Sequence, residues 1–344
     1  MKLIDLQLNF IGQNTEKVYN YLMLQKRIVV LRGGPSSEHH VSLKTGKSII
    51  EVLKDKHHIT DVVIDKAGKW YINGFEKSPV EATKLADVVF NALHGEYGED
   101  GKVQQILEHL GIPFTGSKAL SSALAMNKGQ AKEIFRQNSL KTPIYRIIKK
   151  GDRSIDEIAF DLYKNFVMPV IIKPVNRGSS IGVSVARDMQ SLRDTLTSLF
   201  LQYDTLLVEE YIKGKEGTIS IIDDFRSEQC YACLPSEVCI PDEHDIFNHD
   251  YKYSDERKDL NPGNFSKEEV AQMTELAQEA HNLLGLRHYS RADFIVHPRR
   301  GVYLLEVNSL PDISHNSVFV KSLASVGATY EGFLDHVISL ALKR

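Results

Sequence analysis

A chain of 344 residues with 42% hydrophobic content is long enough for two or three domain-sized cores. Its formal net charge of -3 and pI near 6.5 exclude the basic field that nucleic-acid binders carry, and no nucleic-acid partner is expected. Three cysteines exclude a disulfide framework, no apolar run of about 18 residues offers a membrane-crossing helix, and the N-terminus lacks a secretory signal, so a reducing cytoplasm is expected.

Residues 1–25 read as an N-terminal extension: 9–14 is polar and broken by Gly12, 16–24 suits one short helix, and Met23 is a second candidate start. Arg27 to Leu31 is a short apolar run entering Arg32-Gly33-Gly34-Pro35, which predicts a buried parallel strand and a glycine loop. A helix is predicted over 42–53, then strands over 62–64, 70–72 and 86–90, a loop over 91–101 and a helix over 103–110. Strand, loop and helix in repetition predict an α/β layer structure with sites at the carboxyl ends of strands.

Farther along, helices are predicted over 121–138 and 154–165, and strands over 167–173, 206–211 and 216–222. Pro169 implies an edge or an irregular start for its strand. Another strand is predicted over 231–238. Residues 242–265 are rich in Asp, Asn, His and Tyr and have no periodicity, so they read as a functional lid or a disordered segment. A helix over 267–284, a hairpin of 291–297 and 302–307, and an amphipathic helix over 330–342 complete the chain.

The hairpin carries the strongest chemical signal. Asp293 lies on one strand, and Glu306 and Asn308 lie two apart on the other, so both of these point to one face. Two carboxylates and a carboxamide suit magnesium, which takes few protein ligands and completes its shell with phosphate and water. A merely solvated hairpin would not have Phe294, Leu304, Leu305 and Val307 as neighbours.

Lys173 at a strand end opens Pro174-Val175-Asn176-Arg177-Gly178-Ser179-Ser180-Ile181-Gly182, whose backbone N–H groups and hydroxyls can approach phosphate while the lysine supplies charge. It is not a P-loop. Glu209-Glu210-Tyr211-Ile212, followed by Glu216, could present a strand edge to adenine and a carboxylate to ribose. Two glycine-rich loops follow strands of the first domain, 33–42 with Glu38 and 93–101 with His94. A glutamate there can bind an ammonium group, and the glycines around His94 leave it no packing of its own, so it reads as a site residue. Cys230, Cys233 and Cys239 with His244 and His249 fit zinc poorly, because strand cysteines are commonly buried as small hydrophobes.

These motifs, in this order, resemble the D-alanine–D-alanine ligase family of the ATP-grasp superfamily. The likeness runs from about residue 27 to 342, and also takes in Gly-Ile-Pro-Phe-Thr-Gly-Ser at 111–117 and Ala-Met-Asn-Lys at 125–128. It implies a three-domain α/β (α+β) fold with a parallel-sheet N-terminal domain over 26–117, a central subdomain over 118–212 and a C-terminal subdomain over 213–344 that bears the lid. It implies ATP as co-substrate, two magnesium ions that manganese could replace, and a homodimer. By position, Lys128, Lys173, Ser179 and Ser180 would hold the ATP phosphates; Glu209, Glu210, Tyr211 and Ile212 would line adenine, and Glu216 would take the ribose. Asp293, Glu306 and Asn308 would hold the metals. Glu38, Ser179 and Tyr253 would order the first D-alanine and the lid, with Lys252 reaching the γ-phosphate. Arg291 would stabilise the acyl phosphate and the tetrahedral intermediate, Ser317 would contact the second amino acid, and His94 would lie near the first.

Three residues depart from the family pattern. Asp312 follows Pro311 where the family has glycine; a carboxylate against a tetrahedral phosphate costs on the order of 4 kcal/mol, so Asp312 either points away or the acceptor differs. His40 stands where glutamate is usual, and Asn127 where aspartate precedes the lysine. The readings are a D-alanine–D-alanine ligase for cell-wall peptidoglycan, an ATP-grasp ligase for another carboxylate–amine pair, or a nucleotide-binding protein without ligase activity.

Overall fold

The computed structural model describes residues 25–239 and 258–343. Three sheets and their helices make up the described structure. In the first, β1 (Arg27–Gly33) lies parallel to β2 (His58–Ile64) and to β5 (Val88–Asn91), and the short β3 (Trp70–Ile72) and β4 (Phe75–Lys77) extend the sheet antiparallel in the order β4-β3-β2-β1-β5. Ile28 to Leu31 are all buried, as a strand covered on both faces must be. Helix α1 (His39–Leu53) starts three residues before the predicted Ser42; α2 (Pro79–Thr83) and α3 (Lys102–His109) follow.

The expected helix over 121–138 is two helices, α4 (Ala119–Met126) and α5 (Lys128–Gln137). Asn127 has extended backbone, and its side chain accepts from Gln130 N–H at 3.1 Å, so it caps α5. Asparagine and aspartate are equivalent caps, which accounts for the tolerated exchange at this position.

The second sheet is fully antiparallel, in the order β6-β9-β7-β8, from β6 (Tyr145–Lys149), β7 (Val170–Pro174), β8 (Ser184–Ala186) and β9 (Thr205–Glu210). Its helices are α6 (Ile155–Asn165) and α7 (Met189–Phe200). β7 begins just after Pro169 and lies between β9 and β8, so the proline marks the strand's start and not a sheet edge.

The third sheet runs β13-β12-β10-β14-β15, with β11 also on β10. Its strands are β10 (Lys215–Phe225), β11 (Glu228–Ala232), β12 (Ser236–Cys239), β13 (Lys258–Leu260), β14 (Tyr289–His297) and β15 (Gly301–Asn308). The single strand expected over 231–238 is interrupted between Cys233 and Pro235, and residues 258–260, expected within the irregular lid, form β13. Helices α8 (Lys267–Leu283), α9 (Val318–Ser325) and α10 (Tyr330–Leu342) complete the fold.

The cores do not follow chain order. Phe333, Leu334, Val337 and Ile338 of α10 pack with Ile28, Val30, Val88 and Phe90 of the first sheet. Ala131 and Phe135 of α5 pack with Phe294, Val302 and Leu304 of the third. The second sheet keeps a core of its own, built from Ile148, Val170, Ile172, Leu196, Leu206 and Val208. Helix α5 thus runs from the second sheet's end to the hairpin of the third, and the candidate site forms along it.

Candidate active site

Lys128 and Lys132 are four apart on α5 and share a face. Lys128 Nζ lies 3.1 Å from Glu306 Oε2 and donates to the Arg177 carbonyl at 2.8 Å. Lys132 Nζ lies 2.7 Å from Glu209 Oε1. In the β7–β9 ladder Ile171 is opposite Glu209, so Lys173 is the diagonal neighbour on the same face. Its Nζ lies 2.8 Å from Glu209 Oε2, and one buried carboxylate therefore bridges two buried lysines. Burial works against charge on Lys173, but Glu209, Glu306 and Glu216 outweigh it and hold its pKa above the ordinary lysine value. Burial dominates at Lys132, and Lys173 adds to it, so Lys132 falls to about 8 despite Glu209. Glu209 is favoured by burial to be neutral, yet the two lysines keep it below the usual carboxylate range.

The loop after β7 places Ser179 and Ser180 at φ of 51° and 57°, in the left-handed region that costs non-glycine residues free energy. Ile181 N–H donates to the Gly178 carbonyl at 3.1 Å, so the two serines form the corner of a tight turn. Ser179 Oγ donates to Glu38 Oε1, a carboxylate brought from the start of α1 in the first domain. Across from it Gly95 has φ of +69°, a conformation that strains any side chain, and a Cβ there would lie 2.8 Å from Glu38 Oε2. Arg177 of the same loop lies 3.1 Å from Glu96, tying the loop to the first domain a second time.

On the third sheet Asp293 is directly opposite Glu306, and Asn308 is opposite Arg291. Asp293 accepts from Arg291 Nε and Nη2, each at 2.8 Å, and from Thr218 Oγ1 at 2.7 Å. Asn308 Oδ1 accepts from Leu310 N–H at 2.9 Å. Burial opposes charge on Arg291, but Asp293, Glu306 and Asp312 outweigh it and keep it fully protonated. The hairpin thus brings the predicted metal ligands together, next to Lys128 and within the field of Lys132 on α5 and Lys173 on β7.

Two family models match this chain, one described as D-ala D-ala ligase N-terminus over residues 27–85 and 73–117, the other as D-ala D-ala ligase C-terminus over residues 134–339. The chain belongs to the D-alanine–D-alanine ligase family. It is 34% identical over 320 residues to the D-alanine–D-alanine ligase of Clostridium perfringens strain SM101, covering 92% of this chain and 98% of that one. Among solved structures, the Bacillus anthracis D-alanine–D-alanine ligase complexed with ATP is 29% identical with a TM-score of 0.76, covering 92% and 98% of the two chains. The VanG D-Ala:D-Ser ligase of Enterococcus faecalis is 27% identical with a TM-score of 0.79, covering 92% and 99%.

Within this member of the D-alanine–D-alanine ligase family, the remaining expected residues are placed as follows. Strand β9 is interior, paired with β6 and β7 along 205–210, so it offers adenine no free edge there; Tyr211 and Ile212 lie past its end. Glu209 is turned into the lysine pair, and Glu210 pairs with Arg300 at 2.8 Å. Glu216 lies on β10, between Val238 and Ile295. His94 is not held loosely by glycines: it is 3% exposed and hydrogen-bonded at both ring nitrogens. Ser317 caps α9, its Oγ accepting from Val320 N–H at 3.3 Å. Lys252, Tyr253, His244 and His249 lie outside the described residues. Burial lifts the thiols of Cys230 and Cys233 to about 12.

Lys132, Thr218, Thr45 and Glu99 are site residues that sequence reasoning missed. Lys132 repeats Lys128 at helical spacing, and that was its one local signal. Thr218 is cross-strand to Asp293, a contact set only by register.

Proposed function

We propose that this chain joins two molecules of D-alanine at the expense of ATP, the reaction that supplies D-alanyl-D-alanine to peptidoglycan. The observation that carries this is the Glu38–Ser179 contact. It sets a carboxylate fit for an ammonium group on the same loop whose N–H groups and neighbouring lysines fit phosphates, so a D-alanine carboxylate held there faces the γ-phosphate. A carboxylate is a poor electrophile; transfer of the γ-phosphoryl group to it gives an acyl phosphate, and attack by the second amine releases phosphate and forms the amide.

Lys128, Lys173 and the Ser179–Ser180 turn would hold the phosphates, with ATP between the second and third sheets. Asp293, Glu306 and Asn308 fit magnesium or manganese by donor type and by cross-strand placement; two such ions, when bound, neutralise charge on the transferring oxygens. Arg291, fixed by Asp293, presents a permanent cation to the same oxygens. The roles that the family likeness implies for Lys252 and Tyr253 fall on residues outside the described structure. We take the working form to be a homodimer in the cytoplasm; among the described residues no helix is long and apolar enough to cross a membrane.

A second reading, raised by an aspartate at 312 although its carboxylate is turned onto Thr45 and Ser314, keeps the chemistry and changes the acceptor to another D-amino acid. Phosphate release from magnesium and ATP, with D-alanine, L-alanine or no amino acid, tests both, with mass detection of product. D-alanine-dependent release with a D-alanyl-D-alanine product supports the first reading. Release with another acceptor and none with D-alanine alone replaces it with the second, and no release with any pair refutes both.

A further inference from the structure

Asp312 follows the metal-site hairpin, and its carboxylate does not enter that site. Oδ1 accepts from Ser314 N–H at 2.8 Å and from Thr45 Oγ1 at 2.9 Å, and Oδ2 accepts from Ser314 Oγ at 3.1 Å. Thr45 lies on α1 of the first domain, 267 residues away. Its hydroxyl also meets His94 Nε2 at 2.9 Å. The other ring nitrogen, Nδ1, faces the Leu310 carbonyl at 3.1 Å and Glu99 Oε1 at 3.5 Å.

The protons can be counted. A hydroxyl has one hydrogen, and Thr45 gives it to the Asp312 carboxylate. Its contact with His94 is then satisfied only by an N–H at Nε2. Nδ1 faces only acceptors, so it too needs an N–H. A neutral imidazole has one N–H and leaves one of these contacts as two lone pairs face to face.

We infer that His94 is a permanent imidazolium, that Asp312 is its counter-charge delivered through the Thr45 hydroxyl, and that this clasp makes Asp312 a positioning residue for the acceptor side of the site. The charge balance agrees. Burial alone would empty the ring of its second proton, but Glu99 on its own loop, Asp312 across the interface and Glu38 at the start of α1 outweigh burial and raise its pKa. The clasp fixes both ends of one short loop: His94 binds the Leu310 carbonyl, and Asp312 folds back onto Ser314, three residues before Ser317. The carboxylate that would repel an acceptor's carboxylate is thereby both turned aside and neutralised, so the chain keeps an acidic residue where its family has glycine. The acceptor half of this inference rests on the ligase reading and on the 310–317 loop facing the second amino acid.

The test has two arms. Ring-nitrogen NMR of the unmodified, ¹⁵N-histidine-labelled protein reads His94 directly, its signal identified by loss in His94→Gln or by its shift in Thr45→Val. Two closely spaced nitrogens, unchanged from about pH 6 to 9, are expected; widely split nitrogens of a neutral ring would overturn the clasp. The second arm resolves the two D-alanine constants from initial rates in Asp312→Gly and Thr45→Val. A rise of about tenfold or more in the second constant, with the first and that for ATP unmoved, is expected for loss of a hydrogen bond to a charged group, and the double variant should be no worse than Asp312→Gly alone. Additive losses would sever Thr45 from Asp312 and overturn the relay. A change confined to the first D-alanine or to ATP would overturn the acceptor assignment, while the NMR result still decides the clasp.

Discussion

Replacing Glu209 with glutamine tests the charge arrangement under the nucleotide site. Lys132, Lys173 and Glu209 have side chains 1%, 8% and 3% exposed, with contacts of 2.7 and 2.8 Å, so two cations share one buried anion. Removing one member of a buried ion pair costs about 3–5 kcal/mol, mostly because the partner is left uncompensated. Two partners are stranded in Glu209→Gln, but the costs should not add. Lys132 already sits near 8 with the anion present, so without it the amine sheds its proton at neutral pH. A single loss of about 3–5 kcal/mol is expected, or roughly 6–20 °C in Tm at about 2–4 °C per kcal/mol.

The sign of the pH dependence follows. A lysine whose folded pKa lies below its unfolded value binds fewer protons when folded, so its destabilisation is full below the folded pKa and fades as pH rises toward the unfolded one. The Tm deficit of Glu209→Gln should therefore narrow as pH rises from about 6.5 to about 8, the folded pKa of Lys132 in the unmodified protein, in thermal scans of the ligand-free protein. A deficit under about 1 kcal/mol, or one that stays flat over that range, would show that the three groups are not charged as the geometry requires.

Three further outcomes are expected. Ser179→Ala removes the donor to Glu38, and a hydrogen bond to a charged group is worth about 1.5–3 kcal/mol, so kcat/KM for D-alanine should fall about 10- to 100-fold; a change below threefold in phosphate-release kinetics would contradict the contact's role. Chelation by EDTA should abolish phosphate release, with magnesium or manganese restoring it, and Asp293→Asn should resist that rescue; full activity in EDTA would exclude the metal role of the hairpin. His288 accepts Gly116 N–H at 3.0 Å, and its burial, reinforced by Arg287, pushes it to about 3. Its folded pKa lies below the unfolded one, so stability is lost as pH falls below about 6.5: about 2 kcal/mol by pH 5, to be read as the difference from His288→Asn in urea melts at both pH values.

Much of the site is local and therefore legible. Glu306 and Asn308 share a face because a strand alternates, and the glycines and serines after Lys173 declare a loop by composition alone. Registers and long-range contacts were not legible. Nothing near Glu209 says that β6 will cover one edge of its strand, so the free edge expected for adenine is taken by strand pairing along 205–210. The glycines flanking His94 suggested an open position, whereas the ring is packed by Thr45, Leu310 and Glu99, two of which come from other parts of the chain. Asn127 suits a cap as well as a helix surface, so its sequence alone does not show that its extended backbone divides the helix there. Asp312 stood out by its charge, and the partner that explains it is 267 residues distant.

The pairing of the last helix with the first sheet bears on how the chain is made. Ile28, Val30, Val88 and Phe90 gain their cover from Phe333, Leu334, Val337 and Ile338. During synthesis, then, Ile49 and Leu53 of α1 cover part of that face early, and the rest waits for α10 until the ribosome has almost finished. Contacts between such remote segments close slowly and leave sticky intermediates exposed. A nascent chain stalled before residue 330 would hold its earliest-made strands in a form prone to aggregate, and a chaperone that shields that face would act on this protein chiefly before its release.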